Sequence, residues 1–410
     1  MRATTLLNKL VRLPGLSIRG LKFEDGALIL RFRRSFHLLT CPICETSVSG
    51  RFEQKTRRWR HLALGGLPTY LEGLIRRLRC PTCESVRTER VPWARPGSDF
   101  TRPFEDVVGF LAQRLDHTAV TELTGVDWQT VGRIARRLVG EKLDGRRLEN
   151  LRRIGVDEIA YRRHHKYLTI VVNHDTGDVV WVAEGKSSET LGAFFNELGP
   201  ERLKTLEVVS IDLSAAFQKA IRDAVPGAQV VFDKFHVAQL AQKALDEVRR
   251  ALVRDLPPDQ RPALKKTRWP LLRRPDNTPE ETAAKDEVTL SAIQKHNAPL
   301  YRGYLLKESL LEVLDAPDRQ QAETEVNGWL SWAARSRLQP FVRLARTVRQ
   351  HLDGILRAVE TGLTNARLEG TNNKIRLLSH RAYGFHSADS LIATIYLCCS
   401  GIHLEAPTLA

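Results

Sequence analysis

Three aspartates follow three short apolar segments in the middle of the chain. Residues 154–156 lead to Asp157, residues 208–211 lead to Asp212, and residues 229–232 lead to Asp233. Short β-branched runs of this kind predict buried strands, and connections long enough for helices predict a sheet whose strand ends gather the three carboxylates. Oxygen ligands of this type suit Mg²⁺, and two such ions can activate the attacking oxygen and stabilise the leaving oxygen at a phosphodiester.

A fourth carboxylate, Glu369, lies far downstream in a segment of helical composition. A distant helix can place one more carboxylate against the edge of a sheet, so we include Glu369 in the predicted cluster. In a two-metal arrangement Asp157 would bridge the ions, whereas Asp212 and Glu369 would each complete one coordination sphere. A lone aspartate after a strand is weak evidence, because turns and cores often place carboxylates there. Three in order, with a fourth in a polar helix, are stronger evidence.

Four cysteines form two CxxC pairs, Cys41/Cys44 and Cys80/Cys83, and the segment between them includes a predicted strand. The sequence shows no secretory signal, so we expect a reducing compartment, where such pairs bind metal more often than they form disulfides. Four thiolates are the ligand set of structural Zn²⁺ sites. The alternative is two turns with unliganded thiols. The adjacent pair Cys398–Cys399 lies in an apolar helical segment and is predicted to belong to the core.

The chain carries a net charge of +15 with an ordinary apolar fraction of 42%. Most of the excess lies in residues 1–100, which contain 19 Lys and Arg against 8 Asp and Glu. A basic N-terminal region predicts a polyanionic partner, and nucleic acid is favoured over membrane because no apolar run is long enough to span a bilayer. A basic surface that is merely well solvated is the alternative.

Residues 118–138 have the pattern of a helix-turn-helix. A short helix with Val120 and Leu123 would end at a turn at Gly125, and a second helix would begin near Asp127, whose side chain suits an N-cap. The second helix would turn Val131, Ile134 and Leu138 to the core and leave four polar side chains for a major groove, namely Gln129, Thr130, Arg133 and Arg137. An ordinary three-helix bundle gives the same pattern, so it is the charge of the chain that favours DNA contact.

The central domain is predicted to contain a mixed sheet. Residues 166–173 and 179–184 have strand composition and are joined by His174-Asp-Thr-Gly177, a sequence typical of hairpin turns. With the strands that lead to the aspartates and a helix predicted for residues 187–198, this order is the one that a ribonuclease-H-like core requires. From residue 236 to residue 350 the pattern is helical, which predicts a helical insertion before Glu369 returns to the sheet.

We therefore predict a multidomain α/β protein. Proline and glycine residues between positions 84 and 103 predict a linker after the cysteines. The predicted segments are a zinc-binding, DNA-binding domain at 1–95, a helix-turn-helix domain at 96–149, the first part of the catalytic core at 150–250, the helical insertion at 251–350, and the last part of the core at 351–410.

Four motifs stand out along the chain: Gly155-Val-Asp157-Glu158, Ser210-Ile-Asp212-Leu-Ser214, Phe232-Asp233-Lys-Phe-His236 and Glu369-Gly-Thr-Asn-Asn-Lys-Ile-Arg376. Together they resemble bacterial insertion-sequence transposases of the DDE class, and within that class the ISL3 family. The resemblance covers nearly the whole chain, because this family shares the N-terminal cysteine domain, the helix-turn-helix and the helical insertion. It implies that Asp157, Asp212 and Glu369 are the catalytic triad.

The resemblance also implies roles for residues near the triad. Asp233 and His236 match a DxxH motif of several transposase groups and would place a carboxylate and an imidazole beside the metal or the scissile phosphate. The spacing alone favours a structural explanation over this functional one, with Asp233 as a helix cap and His236 as a hydrogen-bonded structural residue. Asn373 and Arg376 lie four and seven residues after Glu369, hence on the same helix face. They would position the phosphate backbone, although a solvated helix surface accounts for them almost as well.

The sequence thus predicts a transposase that binds double-stranded DNA at the terminal inverted repeats of its own element. It would cleave and transfer strands with Mg²⁺ or Mn²⁺. The alternatives are a non-catalytic, sequence-specific DNA-binding protein derived from a transposase, and a repair or junction nuclease. Because two element ends are joined, we expect at least a homodimer in the DNA complex. We expect a cytoplasmic, nucleoid-associated bacterial protein without membrane contact.

Overall fold

The computed structural model describes residues 2–162, 166–274, 278–363, 366–382, 384–385 and 387–405. The chain divides into two compact units, one of Met1–Asp144 with Leu377–Ala410 and one of Gly145–Arg376. The C-terminal residues thus join the N-terminal unit, whereas the predicted boundaries placed all of 351–410 in the catalytic core. Within the described ranges, no helix has both the length and the apolar character needed to cross a bilayer.

The first unit begins with a β-sheet. Its elements are α1 (Ala3–Val11), β1 (Leu16–Glu24), β2 (Ala27–Arg34), β3 (Leu39–Thr40), β4 (Ser47–Val48), β5 (Glu53–Leu64), β6 (Leu67–Cys80) and β7 (Ser85–Thr88). The main sheet has the order β1-β2-β6-β5, with β7 beside the end of β6, and β2 runs parallel to β6. In the long hairpin of β5 and β6, Trp59 lies opposite Leu71, and both are buried. The predicted strand between the cysteine pairs is confirmed as β6.

Three helices follow, α2 (Arg102–Ala112), α3 (His117–Thr124) and α4 (Trp128–Lys142), and the last helix, α16 (Ala388–Cys399), packs on α4. The turn after α3 places Gly125 in the left-handed region at φ +65°, where glycine has no steric penalty. Asp127 caps α4 by accepting a hydrogen bond from the Thr130 backbone N–H at 2.9 Å. The predicted helix-turn-helix is therefore confirmed, including its N-cap.

The core side of α4 is the one that the sequence predicted. The three residues predicted for the core of α4 are all buried, namely Val131, Ile134 and Leu138. Leu123 of α3 is 66% exposed, because the buried side of that short helix runs through Val120 and Thr124 instead. Leu123 is thus not a core residue.

Residues 84–103, predicted to be a linker, pack into the first unit. Trp93 is buried against Trp59, with ring centroids 5.7 Å apart. Arg95 is 3% exposed and its guanidinium lies 3.1 Å from the buried carboxylate of Glu105 in α2. These side chains attach the sheet to the helices, so the segment is packed and is not a free linker.

The second unit is built on a five-stranded mixed sheet. After a 3₁₀ turn (Gly145–Leu148) come β8 (Arg153–Arg162), β9 (Lys166–Asn173), β10 (Val179–Glu184), α5 (Ser188–Leu203), β11 (Val208–Ile211), α6 (Ala215–Ala224) and β12 (Gln229–Phe232). The strand order is β10-β9-β8-β11-β12. The first three strands form an antiparallel meander, and β11 runs parallel to both β8 and β12.

The predicted strands and the helix between them are confirmed, with two differences. β8 does not end before Asp157 but continues to Arg162, because β9 pairs with it beyond the aspartate. α5 begins after its cap Ser187, as predicted, and is interrupted at Gly199, which has φ +78°.

Helices make up the described remainder of this unit. They are α7 (Lys234–Asp255), α8 (Arg261–Lys265), α9 (Arg268–Leu272), α10 (Glu280–His296), α11 (Ala298–Leu314), α12 (Arg319–Arg335), α13 (Gln339–Gln350), α14 (Leu352–Thr361) and α15 (Ala366–Arg381), of which the residues up to Arg376 belong to this unit. α7 packs against α11 and α13, and α14 packs against β12. One buried cluster runs from Phe232 of the sheet through Leu245 to Phe341, so the helical block shares its core with the sheet.

Candidate active site

The register of the parallel strands places three aspartates side by side. Ser210 of β11 pairs with Gly155 of β8 and with Val231 of β12. Two residues beyond these three positions come Asp157, Asp212 and Asp233. The three aspartates therefore occupy equivalent positions after three neighbouring strands, which lie about 4.8 Å apart from one strand to the next. This juxtaposition is the one that the sequence predicted.

The Asp157 carboxylate accepts two hydrogen bonds. The backbone N–H of Glu158 donates to Oδ1 at 2.8 Å, and the side-chain amide of Asn372 donates to Oδ2 at 2.6 Å. Burial raises the pKa of Asp157, and both bonds oppose that shift. The His236 ring lowers the same pKa and the Asp233 carboxylate raises it, so these groups lie within electrostatic reach of Asp157.

Asp212 and Asp233 each stand where a strand passes into a helix. The Ser214 backbone N–H donates to Asp212 Oδ1 at 3.0 Å, while burial raises the pKa of Asp212. Asp233 is the N-cap of α7, and its Oδ2 atom lies 3.8 Å from Nε2 of His236. Asp233 is thus a capping residue, as its spacing suggests, and it also holds an imidazole beside the cluster.

The cluster borders a cleft of about 930 Å³. Asp212 and His236 line it together with Glu158, whose carboxylate lies 3.5 Å from Nζ of Lys186. Its wall also carries three cationic side chains from the helical block, those of Lys243, Arg250 and Arg268. Since α7 rises about 1.5 Å per residue, its lining residues from 236 to 250 extend over roughly 21 Å. Asp246 lines the same wall, and its carboxylate lies 2.7 Å from Nε of Arg250 and 3.9 Å from Nε of Arg268. The length of the cleft suits an extended polymer.

Glu369 occupies the first turn of α15, and its side chain is exposed. Among the described residues, only the four N-terminal cysteines bring three or more metal-ligating side chains within 4.8 Å of one another. Asp157, Asp212 and Glu369 form no such group. By the same measure the three aspartates and His236 form no such group, although they follow neighbouring strands and act on one another electrostatically. Glu369 lies at the exposed surface of the helix.

The contact between α15 and the cluster is made by Asn372, which is 5% exposed. Sequence reasoning selected Asn373, four residues after Glu369, whereas Asn372 at three residues satisfies the same helical spacing. Asn373 and Arg376 are both exposed, and the Arg376 guanidinium donates to Oδ1 of Asn373 at 3.0 Å. The signal for Asn372 was present in the motif, but the spacing did not distinguish the two asparagines.

The oxygen donors around Asp157 fit a hard divalent cation. Asp157 and Asp212 offer carboxylate oxygens, and Oδ1 of Asn372 is buried and has no hydrogen-bond partner among the described residues. Mg²⁺ and Mn²⁺ take ligands of this kind. A bound cation would also offset the cost of burying the carboxylate charges, which is the cause of their raised pKa values.

A second candidate metal centre lies in the first unit. The Sγ atoms of Cys41, Cys44, Cys80 and Cys83 lie within 4.8 Å of one another, with 3.4 Å between those of Cys44 and Cys80. Two CxxC turns therefore meet as predicted, because β6 delivers the second pair to the first. Four thiol ligands around one centre are the donor set of a structural zinc site.

The helix that would read DNA offers fewer free side chains than predicted. Gln129 and Arg133 of α4 are exposed. Thr130 is 5% exposed, and its hydroxyl donates to Oδ2 of Asp127 at 2.7 Å. The Arg137 guanidinium donates to the buried carboxylate of Glu105 at 2.8 Å. Thr130 and Arg137 thus have structural partners within the unit. The Arg133 guanidinium also donates to the Thr130 hydroxyl at 2.6 Å, but its side chain is exposed, so Gln129 and Arg133 are the exposed candidates for base contact.

Three protein-family models match the chain. Residues 38–83 match the zinc-finger of transposase IS204/IS1001/IS1096/IS1165, residues 89–139 match the helix-turn-helix domain of transposase family ISL3, and residues 154–395 match an ISL3 transposase model. The chain is 38% identical over 427 residues to the transposase for insertion sequence element IS1557 of Mycobacterium tuberculosis, covering 96% of this chain and 94% of the relative. It is 29% identical over 356 residues to the transposase for insertion sequence element IS1001 of Bordetella parapertussis, covering 86% of each.

Proposed function

Because the chain belongs to the ISL3 family of transposases, we propose that it moves an insertion sequence by metal-dependent DNA cleavage and strand transfer. The observation that carries this proposal is the alignment of Asp157, Asp212 and Asp233 at one level of β8, β11 and β12. The strand order, an antiparallel meander followed by two parallel strands, agrees with the ribonuclease-H-like core that we assign to this unit.

In this proposal Asp157, Asp212 and Glu369 hold Mg²⁺ or Mn²⁺. When bound, the cations activate the attacking oxygen and stabilise the leaving oxygen of the phosphodiester. Glu369 is one helical turn from Asn372, which contacts Asp157, and side chains at this spacing are neighbours on a helix surface. We therefore assign the third ligand to the exposed Glu369 side chain.

The remaining residues of the cleft bind the DNA strand that is cut. We assign to His236 a hydrogen bond to an oxygen of the scissile phosphate, with Asp233 orienting the imidazole. Lys243, Arg250 and Arg268 neutralise neighbouring phosphates along the cleft. Asn373 and Arg376 provide further phosphate contacts from the exposed side of α15. These groups position the strand so that the attacking oxygen meets the phosphorus in line.

The first unit supplies recognition of double-stranded DNA at the element ends. We propose that Gln129 and Arg133 contact base edges in the major groove, while the zinc-binding sheet and its basic residues contact phosphates. The reaction joins two ends, so we propose a homodimer or larger assembly in the DNA complex. The protein would act on the bacterial nucleoid in the cytoplasm.

The decisive experiment is strand transfer from pre-cleaved DNA ends by the Glu369→Gln protein. Duplexes carrying the sequences that flank the gene serve as ends, with Glu323→Gln, an exposed glutamate on α12, as the matched control. We expect Glu369→Gln to retain end binding and to lose transfer, because the anionic ligand is removed at constant size. Transfer close to that of the control protein would place Glu369 outside the metal site. Binding without Mg²⁺-dependent cleavage by the unmodified protein would favour the non-catalytic DNA-binding alternative.

A further inference from the structure

Helix α15 meets the sheet with one side only. Leu368 and Ile375 are buried, whereas Glu369 and Asn373 are exposed. At roughly 100° per residue, Asn372 stands at the edge of the buried side, and Glu369 lies about 60° further round the helix. Asn372 is therefore the enclosed residue closest to the exposed Glu369 on this side of the helix.

The amide of Asn372 is oriented by the carboxylate that it contacts. Its Nδ2 atom donates to Oδ2 of Asp157 at 2.6 Å, because a carboxylate only accepts hydrogen bonds. The Oδ1 atom consequently faces away and is buried without a partner in the described part of the chain. An unpaired buried oxygen destabilises a fold, so an apolar side chain at this position would give a more stable fold if the residue served only for packing. The polar group at this position indicates a functional requirement.

A second contact fixes the start of the same helix. The Arg367 guanidinium donates from Nη1 to the backbone carbonyl oxygens of His174 and Asp175, at 2.6 Å in each case. Arg367 and Asn372 thus attach α15 to the sheet on either side of Glu369. The helix cannot slide or turn at this point unless one of these hydrogen bonds is broken.

We propose that Asn372 is a positioning residue of the active site, which orients the Asp157 carboxylate for cation binding and holds Glu369 beside it. The inference rests on the proposed function, since it assumes that Asp157 and Glu369 bind the catalytic cation. Hydrogen-bond donors to a ligating carboxylate tune metal binding, and their loss typically lowers metal affinity by about 10–100-fold.

The test measures Mn²⁺ binding to the full-length, zinc-loaded protein without DNA, by electron paramagnetic resonance titration. We expect Asn372→Leu, which has similar volume but no donor, to weaken Mn²⁺ binding by about 10–100-fold. The matched control is Asn327→Leu, the same change at an exposed position of α12, and we expect the Mn²⁺ affinity of that variant to stay unchanged. Strand transfer by Asn372→Leu should fall at low Mn²⁺ and recover partly at high Mn²⁺, because the defect is one of affinity.

Two results separate this inference from the proposed function. If Asp157→Asn binds Mn²⁺ as tightly as the unmodified protein, the proposed cation site is wrong and the inference is overturned with it. If binding depends on Asp157 but Asn372→Leu binds normally, the inference alone is overturned. If circular dichroism shows that Asn372→Leu does not fold, Asn372→Ala replaces it, since alanine adds no volume and favours a helix. A change in melting temperature with unchanged Mn²⁺ affinity would assign Asn372 a purely structural role.

Discussion

Removal of zinc should unfold one part of the first unit and leave the rest folded. The four cysteines share a small cluster with two buried leucines, Leu39 and Leu78, and with the partly buried Val48. Full burial of two leucines contributes roughly 3–6 kcal/mol. Ordering the ten or so residues of segment 39–48 costs roughly 10–20 kcal/mol of conformational entropy. The deficit is on the order of 10 kcal/mol, which is the size of the free energy that structural Zn²⁺ supplies to zinc-finger peptides.

Hydrogen exchange of the zinc-loaded protein and of the chelator-treated protein measures this difference segment by segment. We expect the backbone amides of residues 39–48 and of β7 to lose protection when zinc is removed. The amides of β1, β2 and β5 should keep theirs, because separate buried clusters around Leu30 and around Trp59 stabilise them.

The variant Cys80→Ser should reproduce the exchange pattern of the chelated protein. Cys398→Ser, which removes a thiol from α16, should exchange like the unmodified protein and serves as the control. Unchanged protection of residues 39–48, after elemental analysis has verified that zinc is gone, would refute this energy balance.

Three further predictions concern other parts of the molecule. Arg133→Ala should relax the base preference at one position of the element end by about 1–3 kcal/mol. Arg137→Ala should instead lower the melting temperature and keep the base preference, because Arg137 pairs with buried Glu105. In competition binding, equal weakening by Arg133→Ala on every DNA sequence would contradict a base contact by Arg133. Burial lowers the pKa of His61 to about 4, below its unfolded value of 6.5. The unfolded state therefore takes up the proton first, and the free energy of unfolding should fall as the pH drops from about 6.5 to 4. Chemical denaturation at several pH values should show a smaller loss of unfolding free energy for His61→Gln than for the unmodified protein. Gly155→Ala should destabilise the second unit by roughly 1–3 kcal/mol, because the added Cβ would lie 2.9 Å from Nε2 of His174. The control is Gly192→Ala, whose added Cβ would meet no atom within 4 Å. Equal melting temperatures for the two variants would refute this clash.

The parts of the fold that depend on local pattern were predictable. Alternation and turn sequence located β9 and β10 correctly, and capping chemistry located the start of α4 at Asp127. The meeting of the two CxxC pairs was predictable because it requires only that one strand connect them. The aspartates could be grouped in advance, since each follows an apolar run and parallel strands end at a common edge.

The parts that depend on distant partners were not predictable. Thr130 and Arg137 look available in the sequence, yet Asp127 and Glu105 engage them. The turns before α2 looked like a linker because proline and glycine dominate composition there, while the burial of Trp93 depends on a strand more than thirty residues earlier. The choice between Asn372 and Asn373 likewise depends on the rotation of α15 against the sheet, which a helical spacing leaves open.

The hydrogen bond from Asn372 to Asp157 joins residues 215 positions apart, and this separation has a consequence during protein synthesis. The ribosome releases the three aspartates long before α15. At about 5–20 residues per second, the roughly 140 residues between Asp233 and Asn372 take about 7–28 seconds to make. Throughout that interval the growing polypeptide carries the sheet without the helix that brings Glu369. On the proposed chemistry, nascent chains and products of premature termination cannot cut DNA, and cleavage begins only with chains that are nearly complete.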